Sequence, residues 1–258
     1  GAATTTSNYY IRVFICHFQL SSGFQPYHRL VHTNMIQYTS QGVVGIVTAN
    51  RILNRLKKMY PEADCALYHN NALELLVATI LSAQSTDETV NKVTPILFRA
   101  YPSAACLASA KAADMETIIK PTGFFRQKTK NIINTCKILV ESFGGEVPRT
   151  MEELIKLPGV ARKTANVVLG TWFQKNEGVV VDTHVGRLAQ RLGLTWTGKD
   201  SKDAVKIEQD LMQILPRNQW TFFSHALIWH GRRICVARKP KCDACELSSL
   251  CPSAFSSE

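Results

Sequence analysis

Four cysteines within 17 residues, Cys235, Cys242, Cys245 and Cys251, constrain this 258-residue chain more than any other feature. A segment that must gather four thiolates over so short a length cannot be continuous helix or strand, so it has to wrap a centre. The other four cysteines, Cys16, Cys65, Cys106 and Cys136, stand singly. In a reducing compartment, clustering of this kind marks metal binding rather than disulfide bonding. The spacing x6, x2, x5 suits either a [4Fe-4S] cluster or a zinc ion with four thiolate ligands. A zinc ribbon ordinarily has two short CxxC knuckles, and here only Cys242 to Cys245 forms one.

A bound centre leaves the rest of the chain to build its own core. At 258 residues there is enough of it for two modest domains or one larger one. Hydrophobic residues make up 45% and charged residues 19%, too apolar for wholesale disorder. Thirty Lys and Arg against twenty Asp and Glu give +10, which favours an anionic partner such as nucleic acid or a membrane surface. No run of 18 to 20 apolar residues offers a membrane-spanning helix, and no signal-peptide pattern is present, so a soluble intracellular protein is expected. Residues 1–46 differ from the remainder, with no Asp or Glu and only Arg12 and Arg29 as fixed charges. They are expected to be an extension, disordered or foreign to the rest of the fold. The remaining residues keep a charge of +8.

From Thr48 onward the pattern is helical. Ile52, Leu53, Leu56, Met59 and Tyr60 recur at helical spacing until Pro61. Leu73 to Leu81 is almost wholly apolar, as a helix buried on most sides would be. Arg126 to Phe143 repeats the pattern through Ile132, Ile133, Cys136, Leu139 and Val140, then meets Gly144-Gly145. Thr150 with Glu153 reads as a capping box opening a short helix that ends near Leu157. Val179 to Val181 is the best strand-like run, and three residues make no sheet. The expected class is all-α.

Between Leu157 and Val168, Pro158-Gly159 separates two short helices. Gly159 permits a positive φ or a close backbone approach, and the free amides opening the second helix suit a phosphate. An ordinary turn between helices would look the same from the glycine alone. Leu157-Pro158-Gly159-Val160-Ala161-Arg162-Lys163-Thr164-Ala165-Asn166-Val167-Val168, followed by Val181-Asp182-Thr183-His184, closely resembles the hairpin and catalytic loop of the endonuclease III family of helix-hairpin-helix DNA glycosylases and AP lyases. The resemblance runs from about Thr48 to Cys251 and includes Leu81-Ser82-Ala83-Gln84-Ser85-Thr86-Asp87.

The resemblance implies that Lys163 is the nucleophile and Asp182 its carboxylate partner. An amine that attacks the sugar C1′ displaces the damaged base and forms a Schiff base, which permits β-elimination of the 3′ phosphate. An ordinary lysine is neutral only roughly once in 2,500 at pH 7, so a helix N-terminus and the neighbouring Arg162 are expected to lower its pKa. Without the resemblance, Lys163 reads as a phosphate-contacting or solvent-facing lysine, and Asp182 as the N-cap of a helix from Thr183 to Leu192. His184 reads equally well as packing or function. An adenine-mismatch or other monofunctional glycosylase is expected to lack a lysine at position 163. A non-catalytic DNA-binding iron-sulfur protein would need neither Lys163 nor Asp182.

A glycosylase must rotate the damaged nucleotide out of the duplex and fill the gap. The resemblance gives the filling role to Gln84, lets Ser82 and Asp87 line the pocket or cap a helix, and makes Phe124 the wedge in the opposite strand, where the family carries Leu; from the sequence alone, Phe124 and Phe125 read equally well as local core. It makes the four cysteines ligands of a [4Fe-4S] cluster rather than of zinc. Gly159, Ala161 and Arg162 of the hairpin, and Arg238, Lys239 and Lys241 between the first two ligands, are expected to contact DNA phosphates. Many family members have Gly where Ala161 stands, and a positive φ there would cost alanine about 1 kcal/mol.

The implied architecture is two-lobed, with residues 65–176 forming a helical bundle and residues 47–64 joining 177–253 in a second lobe that carries the cluster. The expected substrates are oxidised or ring-saturated pyrimidines and abasic sites in double-stranded DNA. The expected state is a monomer in the cytoplasm or nucleoid of a bacterium, with an organellar copy as the alternative.

Overall fold

A computed structural model of the chain describes residues 45–256. The extension expected over 1–46 therefore lies outside the described residues, apart from 45 and 46, which are already helical. The described residues contain helices and short turns and no strand. Val179 to Val181, the best strand candidate, is buried non-helical chain without a strand partner.

Helix α1 covers 45–59 and stops where Pro61 forbids another turn. Then come α2 (Ala72–Ser82), α3 (Asp87–Ala100), α4 (Ala104–Ala108), α5 (Ala112–Ile119), α6 (Phe125–Phe143) and α7 (Met151–Leu154). The chain continues with α8 (Arg162–Thr171), α9 (Thr183–Arg191), α10 (Ala204–Ile214) and α11 (Trp220–Arg233).

Side-chain caps start many of these helices. Asn71, Thr86, Ser103 and Thr150 each accept an amide from the first turn that follows. The Thr150 hydroxyl also donates to Glu153 Oε2 at 2.6 Å, so the capping box closes through side chains, but the helix ends at Leu154, earlier than its sequence suggests. α6 ends as its glycines require: Gly144 has φ 61°, and the amide of Gly145 reaches back to the Leu139 carbonyl at 2.8 Å.

The buried side chains fall into two clusters. One draws on α2 to α8 and includes Leu75, Leu76, Leu81, Leu107, Met115, Ile132, Leu139 and Leu169. The other joins Ile52 and Leu56 of α1 to Val185 and Leu188 of α9, Ile207 and Leu211 of α10, and Phe223 and Leu227 of α11. Sequence order is interrupted here, because α1 packs with helices from the far half of the chain.

Candidate active site and cysteine centre

The turn at Pro158-Gly159 leans on α6. Thr135 Oγ1 donates to the Pro158 carbonyl at 2.9 Å, and Gly159, at φ +78°, lies so close to Asn131 that a Cβ would stand 2.6 Å from its Nδ2. Only glycine meets both demands. Ala161 does not share them. Its φ of −85° and ψ of 168° are ordinary extended backbone, so alanine is tolerated at this position without strain. Ala161 is the N-cap of α8 and offers its amides no side-chain hydrogen bond, which leaves that end of the helix open to an outside acceptor.

Lys163, in the first turn of α8, and Asp182, at the start of α9, line one cavity together with Asp64, Cys65, Thr79, Ser82, Asp87, His225, Trp229 and Arg232. Two routes of chain converge on it. α8 is fixed to the first cluster by Ala165, Val168 and Leu169, while α9 is fixed to the second by Val185 and Leu188. α11 contributes His225, Ile228, Trp229 and Arg232, which recur at helical spacing on one face. Arg232 Nη2 donates to Asp87 Oδ2 at 2.7 Å, joining α11 to the first turn of α3.

Asp182 caps α9. Its Oδ1 accepts the amides of His184 and Val185, both at 2.8 Å, and its Oδ2 lies 2.9 Å from His184 Nδ1. Burial by itself would raise the carboxyl's pKa, but the His184 ring and the two amides outweigh it and hold the group below the usual carboxylate range. The anion therefore persists in the cavity at neutral pH. His184 owes its place to this carboxylate. Asp64, His225, Trp229 and Arg232 lie in stretches of the sequence without a motif, and Cys65 stands there only as a single cysteine.

Gln84 and Phe124 are exposed, Phe124 to 66%, and both are non-glycine residues in the left-handed region, at φ 53° and 46°. Lys239 is a third, at φ 54°. Such residues persist only where their surroundings over-determine them, and they gather at functional sites. Arg162 is exposed and also makes contacts within the protein. Its guanidinium Nε lies 3.2 and 3.1 Å from the two oxygens of the buried Glu208 carboxylate, which also accepts from Asn166 Nδ2 at 2.9 Å. That side chain ties α8 to α10 while remaining about half accessible to solvent.

Cys235, Cys242, Cys245 and Cys251 line a second cavity, walled by Leu188, Leu192, Ile234, Pro240 and Leu247, and none of the four is in a disulfide. A soft, all-thiolate donor set spread around an apolar cavity fits an iron-sulfur group. The segment is pinned from beneath. Arg191 donates to the Val236 and Ala237 carbonyls at 2.9 and 2.8 Å, Arg187 to those of Gly231 and Cys235 at 3.0 and 2.9 Å, and Arg55 of α1 to the Ser249 hydroxyl at 2.7 Å. Arg238, Lys239 and Lys241 stay exposed above it.

Comparison with known proteins agrees with these two centres. Residues 77–217 match the HhH-GPD superfamily base excision DNA repair protein family, and residues 235–251 match the iron-sulfur binding domain of endonuclease III. The Endonuclease III of Synechocystis sp. is 56% identical over 209 residues, covering 81% of this chain and 94% of that protein. A solved non-covalent Endonuclease III-DNA complex superposes with a TM-score of 0.74 at 41% identity, covering 80% of this chain and 94% of that one. A trapped Endonuclease III-DNA covalent intermediate superposes equally well, at 0.74 and 40% identity, covering 80% and 96%. With the hairpin, Lys163 and Asp182 inside residues 77–217 and the four cysteines inside residues 235–251, the chain belongs to the endonuclease III family of the HhH-GPD superfamily.

Proposed function

We propose that this chain is a bifunctional DNA glycosylase and AP lyase of base excision repair that carries a [4Fe-4S] cluster on its four clustered cysteines. The observation that carries the reading is the meeting of Lys163 and Asp182 in one cavity, from helices rooted in different hydrophobic clusters. The solved relative trapped as a covalent intermediate with DNA supports it.

The Lys163 amine attacks C1′ of the damaged nucleotide, forming a C–N bond as the glycosidic bond breaks and the base departs with its electron pair and a proton. Ring opening gives a Schiff base, and loss of a proton from C2′ expels the 3′ phosphate. Asp182, held anionic, stabilises positive charge developing on the sugar. The cluster supplies a rigid core for the Arg238–Lys241 loop, which grips phosphate. Gly159 and the open amides of α8 hold a second phosphate, Gln84 fills the vacated stack, and Phe124 wedges the opposite strand. The two hydrophobic clusters are the cores of lobes at 65–176 and at 47–64 with 177–253, and DNA crosses between them. The substrates are oxidised or ring-saturated pyrimidines and abasic sites, and the protein acts as a monomer in the bacterial nucleoid.

Borohydride trapping on double-stranded DNA containing thymine glycol tests the chemistry. The wild-type protein is expected to form a covalent adduct, and Lys163→Ala to form none. A cluster-loaded protein that binds the DNA without being trapped would refute the lyase assignment.

A further inference from the structure

Lys128 is a buried lysine, 4% exposed, that belongs to neither the hairpin, the cavity nor the cysteine segment. It lies on the buried stripe of α6 with Ile132, Cys136 and Leu139, where an apolar side chain would pack at no electrostatic cost. Burial pushes its pKa down. Its ammonium donates at 2.8 Å to the Leu81 carbonyl, in the last turn of α2, and at 2.8 Å to the Thr122 carbonyl. A cation at the carboxyl end of a helix is well placed, and it satisfies carbonyls that the end of α2 and the turn before Gly123 leave open.

Each of these two carbonyls lies just ahead of a left-handed residue. Gln84 follows Leu81 by three residues and Phe124 follows Thr122 by two, with φ of 53° and 46°. Both loops carry exposed side chains, and one buried ammonium grips both. We propose that Lys128 is a positioning residue that couples the Gln84 and Phe124 loops into a single unit, so that gap-filling and wedging occur together. This rests on the proposed entry of those two side chains into DNA. With the ammonium removed, each loop can relax toward ordinary backbone on its own.

The experiment is a mutant cycle on the full, cluster-loaded chain, bound to a duplex with a tetrahydrofuran abasic analogue opposite 2-aminopurine. Binding is read by affinity and unstacking by 2-aminopurine fluorescence. Gln84→Ala and Phe124→Ala are each expected to weaken binding on the order of fivefold in the native background and less than about twofold once Lys128→Met is present, because neighbouring effects on one coupled unit do not add. Lys128→Met alone should lower the fluorescence rise toward that of the Gln84→Ala, Phe124→Ala double variant, with its circular dichroism spectrum unchanged. Full additivity, or an unaltered fluorescence rise in folded Lys128→Met, overturns the coupling. If Gln84→Ala and Phe124→Ala themselves leave the signal unchanged, the insertion reading is what fails, and the coupling falls with it. Should Lys128→Met not fold, Lys128→Gln, which keeps one donor group, closes the same cycle.

Discussion

Asp182 serves two purposes through its two oxygens. Oδ1 caps α9 by accepting two amides, whereas Oδ2 and its negative charge face His184 and the cavity. Asparagine can keep the cap but not the charge, while alanine keeps neither. Asp182→Asn should therefore change stability little and lower base excision by about a hundredfold, the scale of removing one preorganised electrostatic stabiliser. Asp182→Ala should lose similar activity and a further ~1 kcal/mol of stability. The carboxyl's folded pKa is depressed, so its charge stabilises the native state above the unfolded value of about 3.9, and that contribution is lost as pH falls through the folded value. Any stability advantage of the wild type over Asp182→Asn is accordingly present at pH 7 and should close below about pH 4. Equal activity in Asp182→Asn and wild type, measured on thymine glycol DNA, would reduce Asp182 to a helix cap.

At the scale of elements, α6 organises the proposed DNA-facing parts. Its first turns hold Lys128 under the two loops, and Asn131 and Thr135 support the hairpin turn. α8 begins against that support with an N-cap that cannot cap. Serine at 161 would supply the missing acceptor, with an expected gain of about 1 kcal/mol in stability. Its hydroxyl would occupy an amide proposed to receive phosphate, so Ala161→Ser should raise Tm and weaken DNA binding severalfold. A rise in Tm with undiminished affinity would show that phosphate does not use those amides. The elements readable in the sequence were those whose ends are local: α1 at Pro61, α6 at Gly144-Gly145, and α7 at Thr150. α11 was not readable, because it buries Ser224, His225 and His230 among its apolar residues and shows no clean stripe. The candidate site divides in the same way. The hairpin and the cysteines are contiguous runs, but Trp229 and Arg232 come to the cavity from α11, far along the chain. Lys128 left one signal, a lysine in register with the buried face of its helix.

For the whole molecule, the positive charge acts in two directions. Arg55, Arg187 and Arg191 turn inward to hold the cysteine segment, while Arg238, Lys239 and Lys241 stay exposed on it. Removing an inward arginine and removing the outward charges should therefore produce different defects. Arg191→Met should loosen the segment around Val236 and Ala237 and lower the iron and sulfide content of the purified protein. Replacing Arg238, Lys239 and Lys241 together with alanine should leave iron content unchanged and weaken binding to any duplex, damaged or not, because phosphate contacts carry no sequence or lesion information. Each phosphate neutralised contributes about 0.9 to the slope of log K against log salt, so the triple variant should have a slope shallower by up to about 2.7. Its deficit in affinity should be largest at low salt and fade as salt rises, whereas its discrimination between thymine glycol and undamaged DNA should persist. An unchanged salt slope in an iron-replete triple variant would mean that the cysteine segment braces the fold without touching DNA, and that phosphate is gripped at the hairpin alone.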